Sequence, residues 1–257
     1  MYCCCSRGKY SAKRIETQEL FCILFIFWIS ISITASAQLA NLGSWNILNF
    51  KYNQSNKISF FGETQLRSLQ FYSNYHYYEF KGGFNFKPGN TYQFSLGLGS
   101  YQTYREGGNF VKPKNNDEIR LWPQLVLFQS LFGLKIEQRY RMEMRWTSAG
   151  YRNRFRYRVG ASYPFRIRNN TSKAFQASFS NELFFTNNEP YFERNRFQVG
   201  LSYKVTNATT LQIGYLHQFD YRINDEIGRD FMVLGYFIEL SKKGKKVPNS
   251  ESVFKEN

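Results

Sequence analysis

Leu134-Lys135-Ile136-Glu137-Gln138-Arg139-Tyr140-Arg141-Met142-Glu143-Met144-Arg145-Trp146 is followed, after Thr147–Gly150, by Tyr151-Arg152-Asn153-Arg154-Phe155-Arg156-Tyr157-Arg158-Val159-Gly160-Ala161-Ser162-Tyr163. In both stretches charge and apolar character alternate residue by residue. Successive side chains on a β-strand point to opposite faces, so each stretch reads as a strand with one apolar and one charged face. A two-residue turn at Ser148-Ala149 pairs the two as a hairpin. Arg145 then faces Arg152, Glu143 faces Arg154, Arg141 faces Arg156 and Arg139 faces Arg158. Seven arginines and two glutamates share one face. Turned toward lipid, each arginine would cost up to ~2–4 kcal/mol near a bilayer midplane. A few such terms equal the whole stability of a domain, roughly 5–15 kcal/mol. The charged face must look into a polar interior and the apolar face outward.

The same period of two runs through the rest of the chain. It predicts strands near 44–53, 57–71, 75–86, 92–105, 118–132, 134–146, 151–163, 175–186, 192–204, 209–221 and 229–240. Their lengths exceed the ~5–6 residues usual in globular sheets and suit a membrane barrel, whose strands need ~9–11 residues in the hydrocarbon. Aromatics recur at strand ends, among them Trp122, Trp146, Tyr151, Tyr163 and Tyr203. They fit interfacial girdles, although aromatics also favour strands for their own sake. Connections alternate between short turns (53–56, 87–90, 131–133, 169–173, 206–208) and a second set that includes the two longest loops (106–117 and 222–228). Short turns are periplasmic and long loops external in outer-membrane barrels. The expected fold is therefore all-β, an antiparallel up-and-down transmembrane β-barrel of about 10–12 strands spanning 38–240. Because single-chain bacterial barrels have even strand numbers, the eleven segments imply ten, with 44–53 outside the wall, or twelve.

Like charges directly opposite one another repel, so the ladder needs carboxylates from other strands. Glu63, Glu79, Glu182, Glu193 and Asp220 fall on suitable positions. The expected lumen network is Glu137, Arg139, Arg141, Glu143, Arg145, Arg152, Arg154, Arg156, Arg158, Glu182 and Glu193. It has two readings. Arginine makes planar, multidentate pairs with carboxylates, so the network can be a structural filling of a narrow barrel. Alternatively it lines an anion passage or a pocket for an acidic ligand.

The 257-residue chain carries 34 basic and 19 acidic side chains, net +15. Its length allows one large domain, and a mean hydropathy of −0.50 excludes a polytopic helical membrane protein. With 19% aromatic residues, 18 glycines and 6 prolines it is neither disordered nor collagen-like. Arg7, Lys9, Lys13 and Arg14 precede an apolar run from Leu20 to Ile33, and Ala35-Ser36-Ala37 follows. That is the layout of a secretory signal peptide, residues 1–37, cleaved before Gln38. A signal anchor is the rival reading, but the run is short of the ~20 residues a spanning helix needs. Cys3, Cys4, Cys5 and Cys22 all lie in the removed part, so the mature chain has neither disulfide nor thiol chemistry. Residues 241–257 form a polar, basic tail with Lys242, Lys243, Lys245 and Lys246.

His76 and His217 are the histidines of the chain. Two histidines without cysteine make a zinc site improbable, and no cofactor is expected. Nucleophilic catalysis needs a base within reach of the nucleophile, and neither histidine has a neighbouring serine: Tyr77-Tyr78 follow His76, Gln218-Phe219 follow His217. No catalytic residue is expected. An outer-membrane lipid-modifying enzyme built around His217 remains one alternative, and a soluble exported β-protein binding an acidic ligand another. Gly97-Leu98-Gly99 and Gly107-Gly108 sit in β context with no helix after them, so they are not nucleotide loops. A basic chain also suits nucleic acid, but an export signal and no nucleic-acid motif argue against that partner. The partners expected instead are outer-membrane lipid and anionic solutes, with the oligomeric state open.

Glu137-Gln138-Arg139-Tyr140-Arg141, the arginine strand 152–158, Asn181-Glu182-Leu183-Phe184, Phe192-Glu193-Arg194-Asn195-Arg196 and Gly214-Tyr215 with His217-Gln218 form an ordered set over nearly all of 42–240. The set resembles a Gram-negative outer-membrane β-barrel family described as domain of unknown function 2490. The resemblance implies an outer-membrane barrel and carries no activity. The chain departs from the usual outer-membrane ending in continuing past Leu240.

Overall fold

The computed structural model describes residues 42–166, 174–221 and 227–242. The expected signal peptide 1–37 and its cleavage point, the turn at 169–173, residues 222–226 of the expected loop 222–228 and the basic tail beyond Lys242 lie outside the described residues. The described chain forms eleven strands: β1 Leu42–Asn53, β2 Ile58–Gln70, β3 Ser73–Phe86, β4 Tyr92–Arg105, β5 Val111–Leu131, β6 Leu134–Thr147, β7 Gly150–Arg166, β8 Ala174–Thr186, β9 Phe192–Lys204, β10 Thr209–Asp220 and β11 Ile227–Ser241. Each pairs antiparallel with the next, and β1 pairs with β11 to close a barrel.

The expectation of an even strand number is corrected here. β1 belongs to the wall, and no twelfth strand occurs among the described residues. Strands alternate in direction, so an odd number leaves the first and last running the same way. The closing seam is accordingly parallel, in register from Leu42 opposite Asp230 to Asn53 opposite Ser241. Parallel pairing is slightly weaker per residue than antiparallel, and side chains fasten this seam at its lower end. Lys51 Nζ lies 2.9 Å from Glu239 Oε1, and Asn53 Nδ2 donates to the same oxygen at 2.8 Å.

A second correction concerns 106–117. Most of that expected loop is the first third of β5, which runs from Val111. Lys112-Pro113-Lys114-Asn115-Asn116 reads as loop because proline cannot donate to a ladder and asparagine favours turns. The ladder accommodates Pro113 by register shifts, Tyr104 pairing with Lys114 and Arg105 with Val111. Phe110 then folds back against Tyr104 and Tyr75, with ring centroids 5.2 and 5.9 Å away.

Leu48, Phe60, Phe80, Phe94, Leu98, Phe155, Phe179 and Ile213 are exposed on the outer wall. Glu143, Arg145, Glu118, Glu79 and Arg154 are buried within the barrel. An apolar core cluster also lies inside, beside the seam: Trp45, Leu216, Phe231 and Val233, with Ile47 against them. Inner Gly97 faces Trp122 across the β4–β5 ladder, and a Cβ there would collide with the indole.

Candidate functional site

The β6–β7 register sets Arg139 opposite Arg158, Arg141 opposite Arg156, Glu143 opposite Arg154 and Arg145 opposite Arg152. The next ladder brings Glu182 on β8 opposite Arg158. Carboxylates from three strands then sit among the guanidinium groups. Glu143 is fully buried. Its oxygens lie 2.5 Å from Arg156 and 3.7 Å from each of Arg120, Arg141 and Arg154. Glu182 holds Arg139 at 2.5 Å and Arg156 at 2.9 Å. Glu137 pairs with Arg158 and Glu193 with Arg154. Glu143 and Glu182 are each shared among arginines of facing strands, so most of the like-charged cross-strand neighbours are bridged rather than left to repel.

Glu193 reaches the lumen through a local irregularity. On a regular strand Glu193 and Arg194 would face opposite ways. The β8–β9 register shifts between Phe184 and Phe185, with Phe184 opposite Arg194 and Phe185 opposite Phe192. A bulge of this kind re-aims a side chain. Both Glu193 and Arg194 line the interior, and Arg194 pairs with Asp220 on β10. All eleven residues of the expected network are thus placed on the inner wall.

Several members are invisible to a reading of the hairpin alone. Glu118, the first residue of an expected strand, is buried and binds Arg145 and, at 2.9 Å, Arg120. Arg67, Glu79, Lys81 and Glu63 make a second chain, with Lys81 Nζ 2.5 Å from Glu63 and 2.6 Å from Glu79. The signal that could have found Glu118 and Arg120 is their i, i+2 spacing with Trp122 and Gln124 on one face of β5. Inward aromatics were missed too, and Trp122, expected in an interfacial girdle, is corrected to a buried lumen residue because it shares the inward face of β5 with Arg120 and Gln124. Arg67 lies 3.4 Å over the Trp45 ring, Arg141 3.9 Å over Trp122 and Arg120 3.8 Å over Tyr101. Phe184 carries Arg156 at 4.5 Å and Arg196 at 4.8 Å. Guanidinium groups over ring faces are attracted by the ring quadrupole, more strongly when water is excluded.

These contacts divide the lumen. A cavity of about 740 Å³ occupies the half toward the short turns, and one of about 650 Å³ the half toward the loops at 106–110 and 187–191. Trp45, Gln65, Lys81, Arg141, Arg156 and Arg196 line both and form the partition between them. They come from β1, β2, β3, β6, β7 and β9, so side chains of six strands meet at mid-height between the two cavities.

His217 faces the outer wall. Its Nδ1 lies 2.7 Å from Asp230 Oδ1, and the Tyr215 hydroxyl donates to the same oxygen at 2.5 Å. His76 lines the loop-side cavity, buried, with Nδ1 unpartnered. Among the described residues no group of three or more His, Cys, Asp and Glu side chains could hold a metal ion.

No curated protein matches the chain. A family model does match, over residues 42–228, which takes in β1 to β10 and the start of β11. A closed barrel with this charged interior is thus the fold of a chain that belongs to the family described as Protein of unknown function (DUF2490).

Proposed function

We propose that this is an outer-membrane β-barrel with no enzymatic activity. Its Arg/Glu-lined lumen is closed at mid-height in the resting state, so it admits anions from each end and passes them poorly. The partition carries this reading. Eight-stranded barrels are filled by their own side chains and barrels of 16–18 strands leave an aqueous channel; eleven strands fall between. Here ion pairs and stacked guanidinium groups occupy the middle of the bore. The apolar outer wall supports lipid as its surroundings, since so many exposed aromatic and aliphatic side chains are an aggregation hazard in water.

Two measurements test the reading. Membrane fractionation with heat-modifiability on a gel should place a folded barrel in the outer membrane. In a planar bilayer the wild type should show little conductance, and Arg141→Ala with Arg196→Ala should raise it. Large wild-type conductance whose anion selectivity falls in Arg154→Gln would replace the closed barrel by an open anion path. The His217–Asp230 pair favours a second reading, a lipid-modifying site on the outer wall, because a carboxylate on Nδ1 orients imidazole as a base. Phospholipid hydrolysis by the purified barrel that is lost in His217→Ala would establish it.

A further inference from the structure

We propose that the loop-side cavity is a binding site for a small, multiply charged oxyanion, held between Arg145 and Arg152. The inference rests on the closed-barrel reading, which makes this cavity blind at its floor. Among the described residues eleven arginine and lysine side chains line it against six carboxylates; Glu63, Glu143 and Glu182 behind the wall also pair with some of these cations, and a smaller excess of positive charge remains. The excess is concentrated at one place. Arg145 and Arg152 are directly opposed across the β6–β7 ladder; Glu118 takes Arg145 through Nε and Nη2, which leaves Nη1 and the Arg152 fork as like charges that an anion between them would relieve. The carboxylate nearest both is Glu193, and Arg154 already engages both of its oxygens. Arg145 Nη1 therefore stands 3.7 Å and Arg152 Nη2 3.8 Å from Glu193 Oε1, beyond hydrogen-bond distance. Arg145 is 2% exposed, yet Nη1 has no hydrogen-bond partner. A buried guanidinium N–H left unpaired is costly, and an oxyanion spanning the two forks would satisfy it. Planar guanidinium groups suit phosphate and carboxylate oxygens. Arg152 is the accessible member, its side chain 36% exposed, and Glu106 and Glu189 at the rim are exposed. An anion would enter from the long-loop end and meet Arg152 first.

Isothermal titration of the refolded full chain in zwitterionic micelles, with inorganic pyrophosphate as probe and glucose as the neutral control, tests the site. Pyrophosphate should bind, more weakly as sodium chloride rises, and glucose should not. Arg152→Gln should weaken binding about tenfold or more, the loss of one charge-assisted fork. It should leave heat-modifiability intact, since among the described residues the carboxylate nearest Arg152 is Glu193 at 3.8 Å, which Arg154 already holds. Arg158→Gln, in the other cavity, should change affinity less than about twofold, as expected of a local site rather than a diffuse field. A folded barrel that binds no pyrophosphate overturns the inference and leaves the closed barrel standing. So does equal weakening by Arg152→Gln and Arg158→Gln. Wild-type conductance in the bilayer overturns the closed barrel instead, so the two failures are distinguishable. Inorganic phosphate and citrate, titrated alongside, separate phosphate from carboxylate ligands.

Discussion

The β6–β7 hairpin and the β10–β11–β1 seam solve the same problem, filling a narrow bore, by opposite chemistry. On the hairpin side the inner wall is charged, and Glu143 is buried among four arginines. Around Trp45 the inner wall at the seam is apolar, with Leu216, Phe231 and Val233 packed on it. Trp45 and Phe231 meet edge to face at 5.5 Å. The two regions join where Arg67 and Arg196 lie over the Trp45 ring, 3.4 and 4.9 Å from its centroid. The contrast teaches where removal of a single group should hurt most. An apolar side chain cut short loses contacts in proportion to what is removed. A shared carboxylate removed leaves several cations buried and unpaired.

Glu143→Gln should give the largest loss, about 3–5 kcal/mol for a broken buried pair, less where cavity water screens the cations. Urea unfolding of the refolded barrel would measure it. By the same reasoning Glu182→Gln, which releases Arg139 and Arg156, should cost more than Arg154→Gln, which relieves repulsion among arginines. Equal losses in those two would mean that the lumen is wet enough to screen its charges. Gly97→Ala forces a methyl group against Trp122 and should cost about 1–3 kcal/mol, typical of overpacking. Restoration by a second change, Trp122→Phe, would localise the clash. At the seam Val233→Ala removes two methyl-sized groups and should cost about 1–2 kcal/mol. A loss larger than that of Glu143→Gln would reverse the comparison and put the weight of stability on the seam. Arg152→Gln should be nearly silent in unfolding, within about 0.5 kcal/mol, while changing oxyanion binding.

Much of the wall was legible because alternation with period two is a local property. Tyr140 and Arg141 face opposite ways whatever the rest of the chain does. The hairpin register followed from a two-residue turn for the same reason. The sequence misled where local chemistry and tertiary pairing disagree. Pro113 and its asparagines read as loop, and the β4 strand draws them into β5 at the expense of two register shifts. Glu193 and Arg194 share the lumen only because of the bulge opposite Phe184 and Phe185, which no spacing of charges announces. Phe184 itself left a trace, a lone aromatic on the face that carries Ser178, Ser180 and Glu182.

By itself the sequence determined the alternation of faces along each regular stretch of strand, because the pleat fixes that residue by residue; the bulge that turns Glu193 inward lay outside its reach. It also separated a charged face from an apolar one along β6 and β7, and the closed barrel turns the charged face inward. The strand number, the parallel seam between Leu42–Asn53 and Asp230–Ser241 and the partition across the bore were decided by the tertiary structure. Closure depends on the stagger and tilt of all eleven strands together. Trp45, Gln65, Lys81, Arg141, Arg156 and Arg196 become neighbours only when that closed wall brings six strands around one axis.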